Sequence, residues 1–320
     1  MYIEGVIICV GYSDFLAHTL PHNKQHFNRL VVVTDTKDEQ TRALCEFHHV
    51  ECIQTDVFYE DNEKFNKGKG INVGLKALSL NDWVIHIDAD IYLPPLTRHI
   101  LERISLDPKN IYGIDRMMCP NYVEWQKFLL NPKTHEGWIY VHPTAFPIGV
   151  RIAEYMSEGW EPIGFFQMWH PKESGVFEYP SYHGAADRTD VLHAKKFPRN
   201  KRQLIPEIIG IHLDSENLNL KDMGKNWNGR QTLPFTYEYS LLATAENIKK
   251  DVENIVEEID EKVEEKIDIY KEKDMCKKGY NLPWYLRAWY VIKDFIKKHH
   301  HLLFLVFLAI LSILTILKMK

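Results

Sequence analysis

Before Pro94, four short strand-like runs alternate with stretches of helical character, and this constrains the fold more than any other feature of the chain. The runs cover 5–10, 30–33, 50–55 and 83–87. The helical patterns cover 15–20, 38–47 (with Asp38 as N-cap) and 72–80. Strands alternating with helices predict an α/β fold with a mainly parallel sheet flanked by helices. In such sheets ligands sit beyond the carboxyl ends of the strands. Tyr12, Asp35 and the pair Asp88/Asp90 all fall at those ends.

The fourth run reads Trp83-Val84-Ile85-His86-Ile87-Asp88-Ala89-Asp90, and Pro94-Pro95 stop it. Residues two apart in an extended chain point to the same side, so Asp88 and Asp90 could hold one hard cation together. A divalent ion there is well placed to neutralise a diphosphate. The competing reading is a surface turn with two incidental acids, because an isolated Asp-x-Asp is common.

Of the 320 residues, 45% are hydrophobic and 26% charged, as in a folded soluble body, and a net charge of −5 leaves no nucleic-acid footprint. The five cysteines are scattered, odd in number and lack a Cys-x-x-Cys pair, which argues for a reducing compartment. The first ten residues read as a strand, not a signal peptide. Residues 302–317 form an apolar run interrupted only by Ser312 and Thr315, with lysines on both sides. At 1.5 Å per residue the run spans roughly 24 Å, slightly short of a ~30 Å hydrocarbon core. A buried core helix is the alternative. The absence of a polar face favours a single-pass C-terminal membrane anchor, with the body of the chain in the cytosol.

The middle of the chain is less regular. Residues 208–213 read as a strand ending in His212-Leu213-Asp214. The stretch 159–170 is aromatic, either a stacking surface for a ligand or the filling of a core. Residues 179–191 carry Asp187 and Asp190, with Asp190 readable as an N-cap. From Ile248 to Tyr270 apolar residues recur at steps of three and four opposite a face of Glu and Lys, as in a charged amphipathic helix or stalk. Trp284, Tyr285, Trp289 and Tyr290 with nearby cations suggest an interfacial segment. The expected organisation is a body at 1–239, a charged helix at 240–278, a juxtamembrane segment at 279–301 and a transmembrane anchor at 302–317.

The ordered set Val31-Val32-Val33-Thr34-Asp35, Asn66-Lys67-Gly68-Lys69-Gly70-Ile71-Asn72, His86-Ile87-Asp88-Ala89-Asp90 and Ile211-His212-Leu213 resembles glycosyltransferases of the GT-A fold, family-2-like, over about residues 1–235. The resemblance implies a Rossmann-like mixed sheet, a nucleotide-sugar donor, usually UDP-linked, and Mn2+ or Mg2+. It implies that Asp88 and Asp90 bind metal and diphosphate, with Asp90 the direct ligand, and that His212 completes the metal shell. Imidazole with carboxylates suits Mn2+. Tyr12 and Asp35 match positions that contact the nucleoside base. Lys69 and Asn72, in a Gly-bracketed turn entering a helix, match a phosphate- or ribose-binding place. Asp187 or Asp190 would be the base of an inverting transfer, although Ala186 stands where the family carries a second acid. Lys225 or Arg230 would pair with the donor phosphates from a late loop. The acceptor would be a glycan, lipid or protein hydroxyl.

Two other classes compete. A phosphohydrolase using Asp-x-Asp expects Thr or Val where Tyr92 stands, and expects the motif on the first strand. A catalytically inactive, tail-anchored scaffold would retain the body without needing Asp88, Asp90 and His212 together.

Overall fold

A computed structural model describes residues 1–62, 65–132, 150–152, 160–182, 186–215 and 232–239. Apart from Glu238 and Tyr239 these belong to one compact unit, Met1–Tyr237. Strands are β1 (Ile3–Ile8), β2 (Arg29–Thr34), β3 (Glu51–Gln54), β4 (Trp83–Asp88), β5 (Ile91–Tyr92), β6 (Ile111–Cys119), β7 (Val150–Ile152), β8 (Trp160–Pro162), β9 (Phe166–Trp169) and β10 (Arg202–Leu213). Helices are α1 (Ser13–Asn23), α2 (Glu39–His48), α3 (Lys67–Ala77), α4 (Thr97–Arg103), α5 (Tyr122–Leu130), α6 (Pro171–Ser174) and α7 (Ala186–Ala194).

Eight strands form one sheet in the order β3-β2-β1-β4-β9-β6-β10-β5. β3, β2, β1 and β4 are parallel, as are β6 and β10, while β9 and β5 run against their neighbours. The sheet is therefore mixed and mainly parallel, in agreement with the α/β expectation. β1 is buried along its whole length, as a central parallel strand covered on both faces must be. One face packs Ile7, Leu16, Leu20, Val32 and Ile85; the other packs Val6, Val31, Ile71, Leu75 and Val84.

Several local expectations need correction. The helix expected at 72–80 begins at Lys67, so the Gly-Lys-Gly stretch is helical, not a turn. Its glycines serve packing. A Cβ on Gly68 would meet the Pro180 carbonyl at 1.9 Å, and one on Gly70 would meet the Phe58 ring at 2.1 Å. Asp190 lies within α7 and does not cap it. The irregular reading after Asn110 missed β6, a nine-residue strand inside the sheet. In the aromatic stretch, Phe165, Phe166, Met168 and Trp169 are core residues, and Trp169 is fully buried. They do not present a stacking surface.

Among the described residues no helix is long and apolar enough to cross a membrane. The charged helix, juxtamembrane segment and anchor expected at 240–317 lie outside them.

Candidate active site

β1 lies between β2 and β4, with Ile8 level with Val33 on one side and Asp88 on the other. Ligand-facing residues after β2 and β4 are thus two strand spacings apart, about 10 Å. Beside the ends of β1 and β2 is an open cleft of about 570 Å³, lined by Val10, Gly11, Asp35, Lys37, Asp38, Glu39, Gln40 and Tyr59. Gly11 takes a φ of +69°, which glycine adopts without strain. Its N–H donates to Asp38 Oδ2 at 2.7 Å. Asp38 also caps α2, as expected, accepting the Thr41 N–H at 3.0 Å. Its carboxylate is therefore committed to the wall of the cleft. Asp35 lines the cleft and accepts the Lys37 N–H at 2.9 Å. Tyr12 follows Gly11 at the N-cap of α1 and rests its ring on Phe15.

One strand beyond β1, the Asp88–Asp90 segment is held from beneath by α1. Thr19 and Asn23, one turn apart and both fully buried, reach the same side. Thr19 Oγ1 donates to the Ala89 carbonyl at 2.6 Å and Asn23 Nδ2 to the Ile91 carbonyl at 2.6 Å. Asn23 Oδ1 accepts the Leu93 N–H at 2.8 Å. These contacts close the turn carrying both carboxylates. Sequence reasoning missed them; the one signal it had was the four-residue spacing of Thr19 and Asn23.

His212 reaches the same place from β10. A register shift between Ile205 and Ile209, spanning Pro206, precedes it. Beyond that shift, His212 pairs with Ile91 of β5, and the Leu213 N–H donates to the Asp90 carbonyl at 2.9 Å. His212 Nε2 then lies 3.1 Å from Asp90 Oδ2. Asp90 Oδ1 is buried and has no hydrogen-bond partner among the described residues. Burial pushes the Asp90 carboxyl up, but the neighbouring His212 and Arg116 outweigh it and leave the group below its usual range.

Asp88 has a different partner. Lys67 Nζ lies 2.8 Å from Asp88 Oδ1 and 3.0 Å from Asp190 Oδ2. Lys67 is 6% exposed and Asp190 5%. Burial would lower the Lys67 ammonium's pKa, but Asp190 and Asp88 together raise it. Burial raises Asp88 as well. Asp190 is pushed up to about 7 by burial and by Asp88, against the pull of Lys67. Lys67 was the expectation's omission: the sequence reading chose Lys69, two residues on. Lys69 pairs instead with Glu60. Asn72 gives both ends of its amide to the Tyr179 backbone, accepting its N–H at 2.7 Å and donating to its carbonyl at 2.9 Å. Neither Lys69 nor Asn72 joins the cluster in this arrangement.

Among the described residues, no three His, Cys, Asp or Glu side chains are arranged as a ready metal-binding group. What exists is the Asp90–His212 pair, with Asp88 beside it held by an ammonium. The Asp187 side chain, Lys225 and Arg230 lie outside the described residues. The segments on either side of residues 216–231 meet where Ser215 Oγ donates to the Leu233 carbonyl at 2.6 Å. Phe235 then stacks on Phe15 and its N–H donates to Asp14 at 2.6 Å.

No protein-family model matches the chain, and no curated protein does. Among solved structures it is similar to glucosyl-3-phosphoglycerate synthase from Mycobacterium tuberculosis in complex with Mn2+, UDP and phosphoglyceric acid. Identity is 12% over 69% of this chain and 73% of that one, with a TM-score of 0.41. It is also similar to the galactosyltransferase LgtC in complex with donor and acceptor sugar analogues, at 11% identity over 63% of this chain and 72% of that one, TM-score 0.34. A nucleotidyl transferase from Methanothermobacter matches 37% of this chain and 63% of its own at 15% identity, TM-score 0.29.

Proposed function

We propose that this chain is a metal-dependent glycosyltransferase that moves a sugar from a nucleoside-diphosphate donor, UDP-linked by preference, to an acceptor hydroxyl. The observation that carries the reading is one of spacing. A cleft able to take a nucleoside lies beside the ends of β1 and β2, and an Asp-x-Asp turn with a histidine and a buried lysine follows one strand along. About 10 Å suits a nucleoside in the cleft with its diphosphate reaching Asp88 and Asp90.

Asp90 and His212 are the residues that would hold the ion. The fit is supported by the unpartnered buried Oδ1 of Asp90 and by a carboxylate–imidazole donor set that suits Mn2+. Two protein ligands suffice where substrate phosphates complete the coordination. When bound, the ion supplies charge neutralisation of the diphosphate as it becomes the leaving group. The chain needs that help. Asp88, Asp90, Asp190 and Asp214 crowd around Lys67 and Arg116, so among the described residues here acids outnumber cations. Lys67 offers a fixed positive charge beside Asp88. Asp35, in the lining of the cleft, would accept a hydrogen from the base; Tyr12 is not among the lining residues and packs its ring on Phe15 instead. The test is calorimetry of the full chain with UDP, GDP and ADP, with and without MnCl2. The reading expects Mn2+-dependent binding strongest for UDP, and it fails if none of the three binds.

The anchor at 302–317 belongs to the same proposal. Full-length protein expressed in cells should stay with the membrane pellet through a carbonate wash, and deletion of 302–320 should release it. Recovery of the full chain in the soluble fraction would refute the anchor.

A further inference from the structure

Asp190 was expected to take the proton of the acceptor hydroxyl, but its surroundings are not those of a group that meets a substrate. Oδ2 faces Lys67 Nζ at 3.0 Å, and Oδ1 faces the Tyr179 hydroxyl at 3.3 Å. The carboxylate lies directly against the backbone of Gly164: a Cβ there would fall 1.6 Å from Oδ2. Gln167 Nε2 donates to both the Pro162 carbonyl, at 2.8 Å, and the Asp190 carbonyl, at 3.0 Å, tying this turn of α7 to β8 and β9. Tyr179 in turn is fixed by Asn72 from α3, the helix that carries Lys67. Among the described residues, the Asp190 side chain is held by Lys67 and Tyr179 and lies against Gly164.

We propose that Asp190 is a positioning residue: it holds the Lys67 ammonium against Asp88 and so sets the charge that the donor diphosphate meets. A lysine has four rotatable bonds, and one carboxylate on one side leaves its ammonium free to swing about that contact. A second carboxylate on the opposite side removes the freedom. The only other described partner near Lys67 Nζ is the Gly164 carbonyl at 3.5 Å, at the limit of a hydrogen bond. Outer partners of this kind commonly govern affinity as strongly as the groups they orient.

The inference rests on the transferase reading, and one titration series separates the two. UDP is titrated in the presence of MnCl2 into the full chain as wild type, Asp190→Asn, Lys67→Met and the double variant, each checked for folding by its thermal transition. Asp190→Asn should weaken UDP binding about 10- to 100-fold. In the Lys67→Met background the same substitution should change affinity by less than about twofold, because the group it positions is gone. UDP affinity equal to wild type in Asp190→Asn, or an undiminished effect in the Lys67→Met background, overturns the inference and leaves the transferase reading standing. Wild-type protein that binds no UDP overturns both. If either single variant fails to fold, the double variant, which removes both members of the buried charge pair and is the milder change, is compared with wild type: weaker UDP binding supports the inference and wild-type affinity overturns it.

Discussion

His212 Nε2 lies 3.1 Å from Asp90 Oδ2 although 122 residues separate them in the chain. β5 creates the meeting: two residues, Ile91 and Tyr92, pair with the end of β10 immediately after Asp90. Metal affinity should therefore depend on both side chains. Asp90→Asn and His212→Ala should each reduce Mn2+-dependent UDP binding about 10-fold or more while the protein stays folded. Calorimetry with the metal varied at fixed UDP reads this directly, and unchanged affinity in both variants would remove the metal assignment.

The Asp88–Asp90 turn owes its shape to α1. From a fully buried position Asn23 makes two hydrogen bonds to the segment that follows this turn, donating to the Ile91 carbonyl and accepting the Leu93 N–H. Asn23→Ala strands the Ile91 carbonyl and the Leu93 N–H, at a cost of about 1–3 kcal/mol for each unsatisfied group. A lower Tm should accompany weaker Mn2+-dependent UDP binding. A variant with lower Tm and unchanged binding would show that the clamp serves stability alone.

β1, β2 and β4 were legible because parallel strands buried on both faces write themselves as apolar runs, and α2 announced itself through its Asp38 cap. Asp88, Asp90 and His212 were readable as an ordered set. Lys67 was not, because nothing local separates it from Lys69. The choice is made by Asp190, 123 residues away. β6 was missed for a similar reason: its second half, Asp115 to Met118, is only partly buried and mixes polar with apolar residues. The two glycines flanking Lys69 gave the most misleading signal, since a phosphate-binding turn and a closely packed helix both require residues without a side chain.

Gly68 tests that distinction. In an open helix, alanine is the better helix former by about 1 kcal/mol. Here the new methyl would press on the Pro180 carbonyl, which is backbone and cannot rotate away. Gly68→Ala should therefore destabilise by about 1–3 kcal/mol, as overpacking does. Chemical denaturation measures it, and a more stable variant would mean that α3 and the 179–182 segment are not in contact.

Acid should destabilise the protein through its buried histidines. Burial holds His26 down to about 4, and His86 and His193 well below the ordinary value of 6.5. In the unfolded chain each takes up a proton near pH 6.5; in the fold each resists. The unfolded state therefore binds more protons between about pH 6.5 and 4, and stability falls as pH is lowered through that window. His193 isolates the effect. Its ring stacks on Tyr179 at 3.9 Å and meets Trp169 edge-on at 4.6 Å, yet neither nitrogen has a hydrogen-bond partner among the described residues. His193→Phe keeps an aromatic ring in that place and removes both the buried polar atoms and the titration. The variant should be at least as stable as wild type at pH 8 and should lose less stability on going to pH 5. Urea titrations at the two pH values give the comparison. An unchanged pH slope would mean that His193 is not held neutral by the fold.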